Sequence, residues 1–416
     1  MKTSRNFFRK MKFLIYFQLF FLSIQSSFGQ VNLLPFDVKL ETVASYDGGD
    51  WIWFHPRLAP APTVRKDGKP AVVMTLQRHL DASDYYSGMY AMRTDDFGVT
   101  WTPPAEVPEL EWRDGDDGET IAVCDATPGW HAKTGKIIVF GLQLRYSKDG
   151  AQLEEKPRSL QTAYSVHDPI ANTWSTWRTF ELKDNDTKFY ISGPGCSQWL
   201  VQDDGNILLP IYYKSSETGV YSVTTLKCSF DGETVRPLEY GNDMHLNVER
   251  GLCEPSIALY NNTYYLTIRN DVKGYVTTSK DGLHYDPIKE WTFDDGGELG
   301  NYNTQQHWLT HSDGLFLIYT RRGANNDAVF RNRAPLFMAQ VDPEKLVVMR
   351  ATEKILMPNT GATFGNFGAT AIDENESWVT DAEGIFGEAL KPGVVARVLN
   401  ARIVWSKPNR LMAPKQ

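Results

Sequence analysis

One unit recurs six times along this chain: a strand, a tight turn, and a second strand that ends in polar residues. It begins as HPRLAPAPTVRKDGKPAVVMTLQRH at His55 and returns as CDATPGWHAKTGKIIVFGLQ at Cys124 and GPGCSQWLVQDDGNILLPIYYK at Gly193. The later copies are CEPSIALYNNTYYLTIRN at Cys253, QQHWLTHSDGLFLIYTRR at Gln305 and, most degenerate, GNFGATAIDENESWVTDAE at Gly365. A period of roughly 50–70 residues leaves room for two further strands per copy, and long internal periods mark propellers and other repeat folds. Short runs rich in Val, Ile, Tyr, Phe and Trp, separated by Asp-Gly, Asn-Asn and Gly-rich turns, read as strands. A lone four-stranded blade cannot cover both of its faces, whereas a closed ring of blades can. The expected fold is therefore all-β: a six-bladed β-propeller, or a seven-bladed one if the N- and C-terminal strands make a blade of their own.

A second marker is local. Thr94-Asp95-Asp96-Phe97-Gly98-Val99-Thr100-Trp101 matches the Asp-box pattern S/T-x-D-x-G-x-T-W. Such a turn uses the Asp side chain to cap backbone N–H groups, the Gly for a positive φ, and the Trp as a plug beneath. Ser279-Lys280-Asp281-Gly282-Leu283-His284-Tyr285 is a degenerate copy, and Ser229-Phe230-Asp231-Gly232 a fragment. These turns are structural and are not placed in the site.

Residues 1–29 read as a secretory signal peptide and residues 30–416 as one propeller domain. Lys2, Arg5, Arg9, Lys10 and Lys12 form a basic start, the run from Phe13 to Ile24 is largely apolar, and Ser27-Phe28-Gly29 offers small residues for cleavage. The apolar run is short for a membrane span and no Cys follows it. The protein is thus expected to be exported, periplasmic or secreted, without a membrane anchor, and to act as a monomer. Its formal charge is −8, and becomes −13 without the five basic residues of the leader. A surface so acidic repels nucleic acid, so an anionic substrate would need cations gathered locally. Cys124, Cys196, Cys228 and Cys253 allow three disulfide pairings, and no CxxC spacing points to a metal.

In a propeller the inner strands line the axis, and loops at one end build the pocket. The residues that begin these strands, or end the next ones, are unusually polar. They are His55, Arg57, Arg78 and His79 in the first repeat, Asp125 and His131 in the second, and Gln198, Tyr212, Tyr213 and Lys214 in the third. The fourth has Glu249, Arg250, Glu254, Arg269 and Asn270; the fifth has His307, Tyr319, Arg321 and Arg322, followed by Arg331 and Arg333.

With these residues the chain resembles the sialidase (neuraminidase) superfamily along most of its length. The first repeat with its Asp box, GPGCSQWLVQDDGNILLP and CEPSIALYNNTYYLTIRN carry the likeness, together with an ordered Arg…Asp…Glu…Arg…Arg series. The resemblance implies three arginines clamping a substrate carboxylate: Arg57, Arg269, and Arg331 or Arg333. It implies a general-acid Asp at Asp81 or Asp84, and Glu254 beside the nucleophile. Guanidinium forks suit this task because they bind carboxylates in bidentate fashion and stay charged. The family's late nucleophilic Tyr has no counterpart, since no Tyr follows Tyr319.

Arginines kept without that nucleophile point to a uronic acid. Neutralising its carboxylate acidifies the C5 proton, a base removes it, and a group leaves C4 by β-elimination. Propeller-shaped lyases of marine polysaccharides such as ulvan resemble this set of His, Tyr and Arg. The expected catalytic residues are His79, Tyr213 and Glu254, with Arg57, Arg78, Arg269, Tyr319, Arg331 and Arg333 binding substrate. Each has a structural alternative: His79 as a turn residue, Tyr213 and Tyr319 as packing between blades, Glu254 and Arg269 as a buried ion pair. Trp112, Trp130 and Trp199 can stack on sugars or simply fill the core. The expected activity is a lyase or dehydratase acting on the non-reducing end of acidic oligosaccharides. A glycoside hydrolase and a glycan-binding propeller without catalysis are the competitors. No nucleotide, flavin or haem motif is present, and neither a cofactor nor a catalytic metal is expected.

Overall fold

Six antiparallel sheets form the protein, one for each sequence repeat. The computed structural model describes residues 33–412, apart from 63, 66–68, 82–83, 154–159, 185–186 and 218. The leader expected at residues 1–29 lies outside the described residues, as does any statement about the Asp81 side chain. Among the described residues no helix is long and apolar enough to cross a membrane.

Each blade runs outward from a strand at the axis. The inner strands are Ile52–Ala61, Thr120–His131, the broken pair Ile191–Gly193 and Leu200–Val201, Cys253–Tyr260, His307–His311 and Gly368–Ala371. The sixth blade completes the ring. Its fourth, outermost strand is the N-terminal Phe36–Tyr46, which pairs with Ala396–Trp405 from Phe36↔Trp405 to Tyr46↔Ala396. The terminal strands therefore make no seventh blade. The N-terminal strand instead satisfies the open edge of blade six, which closes the ring by hydrogen bonding.

The blades meet through apolar seams. Trp308 and Trp378 are almost wholly buried between neighbours. Two tryptophans also donate across a seam: Trp199 Nε1, just before Leu200–Val201, to the Thr127 carbonyl and Trp308 Nε1 to the Ser256 carbonyl, each at 2.9 Å. The Asp boxes form with the expected caps, but the ring beneath the first turn is Trp378 of blade six, with the box's own Trp101 half-buried beside it at 6.2 Å between ring centroids. Asp96 accepts from the Thr100 N–H at 2.8 Å, and Gly98 sits at φ +83° with Trp378 beneath it, so an added Cβ would lie 2.9 Å from the indole. Asp281 and Asp231 accept backbone N–H bonds in the same manner.

One departure from regular strand geometry is repeated, and it builds the centre. His55, Asp125, Cys196 and Glu254 begin or interrupt the inner strands of blades one to four, each at φ between 47° and 56°. The strand register slips there in blades one, two and four, between Phe54 and Arg57, Cys124 and Thr127, and Cys253 and Ser256. A bulge re-aims a side chain that the regular pleat would send into a seam. Left-handed φ in a non-glycine residue costs about 1–3 kcal/mol and is concentrated at functional sites. Here four copies of that strain turn four polar side chains to one mouth of the axis.

Candidate active site

Arg57 plugs the axis below that mouth. It is 1% exposed and donates to the Asp125 carbonyl at 3.0 Å, Thr127 Oγ1 at 3.1 Å and Gln305 Oε1 at 3.0 Å. The expectation that it clamps substrate is corrected: the bulge carries His55 to the mouth and turns the Arg57 fork inward, where blades one, two and five share it. Gln198 crosses the axis in the same way, accepting from the Trp308 N–H and donating to the Trp308 carbonyl.

His55 and Asp125 meet above this plug. His55 Nε2 is 3.0 Å from Asp125 Oδ1, and Cys196 Sγ is 4.0 Å from the same nitrogen. Burial pushes the His55 imidazole well below its usual value, with Arg57 and His79 adding to the effect. Burial also raises the Asp125 carboxyl to about 7, with Arg57 opposing and Asp84 and Glu254 assisting. A neutral His and a carboxyl poised near neutrality can share one proton across the 3.0 Å contact. Asp125 keeps its side chain 21% exposed, so this pair is reachable from solvent.

Across the mouth, Glu254 accepts from Arg269, which also donates to Asn303 Oδ1 at 2.7 Å. Burial alone would raise the Glu254 carboxyl, but Arg269, with Arg250 and Arg333 behind it, holds it below the usual range. Arg250 pairs with Asp271 at 2.9 Å. Arg333 donates to the Asn303 carbonyl at 2.5 Å, and burial lowers it to about 10 with Arg269 and Arg331 repelling it. Gly365 makes room for this arginine, since a Cβ there would lie 2.6 Å from Arg333 Cδ. Arg331 is exposed over the Phe330 ring, and burial, Arg269 and Arg250 lower it in turn. Burial and neighbouring arginines lower Arg331 and Arg333, which a bound anion would relieve, whereas Glu254 and Asp271 hold Arg250 and Arg269 above their usual range against the effect of burial.

Asp84 stands at the rim, exposed, accepting from Tyr86 Oη at 3.0 Å. It is the position of the expected general acid whose side chain is described. Beside it Trp112 is 37% exposed and stacks on Tyr85, while Trp199 is buried and Trp130 packs into a seam. Trp112 is the most exposed of the three tryptophans.

Several expected residues are elsewhere. Of the alternating pair Tyr212 and Tyr213, it is Tyr212 that turns to the axis. Burial pushes its hydroxyl well up, and Asp125 and Glu254 are close enough to add to the shift. Tyr213 packs on Phe189 in the seam between blades two and three, because neighbouring strand residues point to opposite faces. Tyr319 is wholly buried and donates to Glu353 Oε2 at 2.6 Å, an acceptor it shares with Arg321, so it braces blade five. Arg78 lies over the Trp51 and Tyr90 rings, each at 4.6 Å, on the blade-six side of its strand. His79 is 4% exposed behind Phe54 and Tyr86, one layer back from His55. His131 bonds Thr134 and the Gly205 carbonyl and is structural, whereas His307 lies near the axis against Ser256. All four cysteines are buried free thiols, so none of the three pairings is made.

His55, Asp125, Tyr212 and Arg250 belong to the site as candidates that the sequence offered without assigning them a role, and Cys196 was not among the candidates. Its signal was present, since His55, Asp125, Cys196 and Glu254 occupy equivalent places in four repeats.

No protein-family model matches the sequence, and no curated protein does. Solved structures are similar in fold. A protein of unknown function from Dyadobacter fermentans has a TM-score of 0.61 at 14% identity, over 88% of this chain and 99% of that one. The Hadza microbial sialidase Hz136 has a TM-score of 0.58 at 15% identity, covering 83% of this chain and 65% of its own. Trypanosoma rangeli sialidase has a TM-score of 0.56 at 12% identity, covering 86% and 59%. This chain therefore spans less than two thirds of the length of those two sialidases. The chain is a six-bladed β-propeller whose fold is similar to that of these sialidases.

Proposed function

We propose that this is an exported carbohydrate-active enzyme that acts on the non-reducing end of acidic, uronate-containing oligosaccharides by β-elimination. The feature that carries this is the crowd of arginines around Glu254, namely Arg269, Arg250 and Arg333 with Arg331 beside them, together with the Asp125 carboxyl, which senses Glu254 and is raised to about 7 by burial. The fold likeness to sialidases supports a glycan substrate. The absence of any Tyr after Tyr319 speaks against their retaining chemistry.

In this reading the substrate carboxylate seats on Arg333 and Arg331, whose mutual repulsion it relieves. Neutralising that charge acidifies the neighbouring C5–H. Asp125, oriented by His55, takes the proton. The C5 electron pair becomes the C4–C5 double bond as the C4–O bond breaks. The leaving oxygen takes the Tyr212 proton, and the proton held on Asp125 restores the tyrosine. Glu254 keeps Arg269 in place, and Trp112 supports the leaving sugar. Loss of a sugar makes the enzyme a lyase; loss of water makes it a dehydratase. Hydrolysis has one feature in its favour: Asp84 and Asp125 are two carboxyl groups at one mouth, the minimum that an inverting glycosidase needs.

The test is ultraviolet absorbance of the 30–416 chain acting on uronate-terminated oligosaccharides, beside a fluorogenic sialoside. A rise from a conjugated uronate, with mass separating loss of water from chain cleavage, supports the proposal. Release of sialic acid or of a saturated sugar without that rise overturns elimination. Binding without turnover makes this a glycan-binding propeller.

A further inference from the structure

Left-handed residues on three successive blades, two in strand bulges and the third in a break of its inner strand, bring an imidazole, a carboxyl and a thiol together. Among the described residues, His55, Asp125 and Cys196 are the one group of His, Cys, Asp or Glu side chains whose ligand atoms all fall within 4.8 Å. A tetrahedral zinc-class ion with bonds of about 2.0–2.3 Å sets its ligand atoms roughly 3.3–3.6 Å apart. The observed 3.0 Å from His55 Nε2 to Asp125 Oδ1 and 4.0 Å from that nitrogen to Cys196 Sγ bracket this spacing. The third separation, Cys196 to Asp125, lies within 4.8 Å.

We propose that His55, Asp125 and Cys196 form a three-ligand site for one borderline-soft divalent cation of the zinc class, with its fourth position open to the axial mouth.

The mixed N, O and S donor set excludes the hard cations, which take oxygen, and suits zinc or cobalt. The opening lies on the Asp125 side, where the side chain is 21% exposed while His55 is 2% exposed. Three protein ligands with one open position is the pattern of reactive rather than purely structural zinc. Cys196 is unusual among the buried thiols here. It sits at φ 56° among charged groups, with Arg57 hydrogen-bonding its sulfur, whereas Cys228 lies in an apolar seam. Ligation releases the thiol proton and any proton on Asp125, leaving thiolate and carboxylate to balance the ion. Arg57 and Glu254, which sense each other's charge, flank the three ligands. The ion would occupy the same His55 and Asp125 atoms that the proposed elimination uses, so the metal-bound state and the state in which Asp125 acts as base are alternatives at one place, and the test is made without substrate.

The experiment loads the purified 30–416 chain with Zn²⁺ or Co²⁺, removes excess ion, and measures bound metal and the cobalt spectrum. One ion per chain with intense tetrahedral bands and a near-ultraviolet thiolate-to-cobalt transition is expected. Cys196→Ser should abolish that transition. His55→Gln should weaken binding by more than the roughly 10–100-fold typical of second-shell changes. Cys228→Ser, the control for loss of a buried thiol, should change neither. Wild-type chain that retains no ion, or binds cobalt without the thiolate transition, overturns the proposal. So does a transition that survives in Cys196→Ser. Should Cys196→Ser fail to fold, the wild-type spectrum with the Cys228 and His55 variants still decides.

Discussion

His55 Nε2 lies 3.0 Å from Asp125 Oδ1, across the seam between blades one and two. Neither residue is at the mouth by regular strand geometry; both arrive through a left-handed bulge. The contact couples a His kept neutral by burial to a carboxyl raised to about 7. A shared proton at this place is the centre of the proposed chemistry.

Asp125→Asn should lower kcat by about 10²–10⁴, the usual weight of a general base, and leave KM within a few-fold. In the unaltered chain the base form of Asp125 is lost as pH falls through about 7. The kcat/KM profile should therefore rise across neutrality and flatten in the variant. An unchanged profile would remove Asp125 from the mechanism.

Tyr212 and Tyr213 give a contrast within one dipeptide. Tyr212→Phe should cost at least about tenfold in kcat with little change in stability, because it removes the proton donor. Tyr213→Phe should leave turnover near the parent value, since its ring packs in a seam. Tyr319→Phe should act on stability alone, by about 1–2 kcal/mol, through loss of its bond to Glu353. Kinetics and thermal unfolding on the three variants would show whether the assignments are reversed.

Glu254→Gln leaves Arg269 buried with its main charge partner gone. Breaking one side of such a pair costs about 3–5 kcal/mol. Thermal unfolding should show that loss, and the double variant Glu254→Leu with Arg269→Met should recover much of it. The double variant should still bind acidic oligosaccharide far more weakly than the parent. If binding is unaffected, the pair is structural only.

Asp381 is buried in blade six, and burial raises its carboxyl to about 8. A group raised in the folded state stabilises fully below its unfolded pKa, and that contribution is lost as pH rises through the folded value. The window here runs from about 4 to about 8. Asp381→Asn should therefore raise Tm by a few degrees at pH 9 and change it little at pH 4. A variant that is equally or more destabilised at pH 9 than at pH 4 would contradict the buried neutral acid.

The sequence by itself determined the repeat and the order of the blades, and left their number at six or seven. Six spaced copies of one strand–turn–strand unit leave few ways to bury both faces of each sheet, and the Asp boxes pin turns by local hydrogen bonds that need no distant partner. Glu254 and Arg269 were legible for the same reason, since they begin and end strands of the fourth repeat, whereas Arg331 and Arg333 lie between the fifth and sixth copies and were picked out through the family resemblance. The closing partner of blade six was not, because pairing of Phe36–Tyr46 with Ala396–Trp405 joins the two ends of the chain. The orientation of Arg57, Tyr212 and Tyr213 was also decided only in three dimensions. A bulge shifts register without any mark in composition, and one residue of slip sends a side chain from the mouth into the core or a seam. The meeting of His55, Asp125 and Cys196 belongs to this second kind. They are about 70 residues apart in sequence, and only closure of the ring brings their ligand atoms within 4.8 Å.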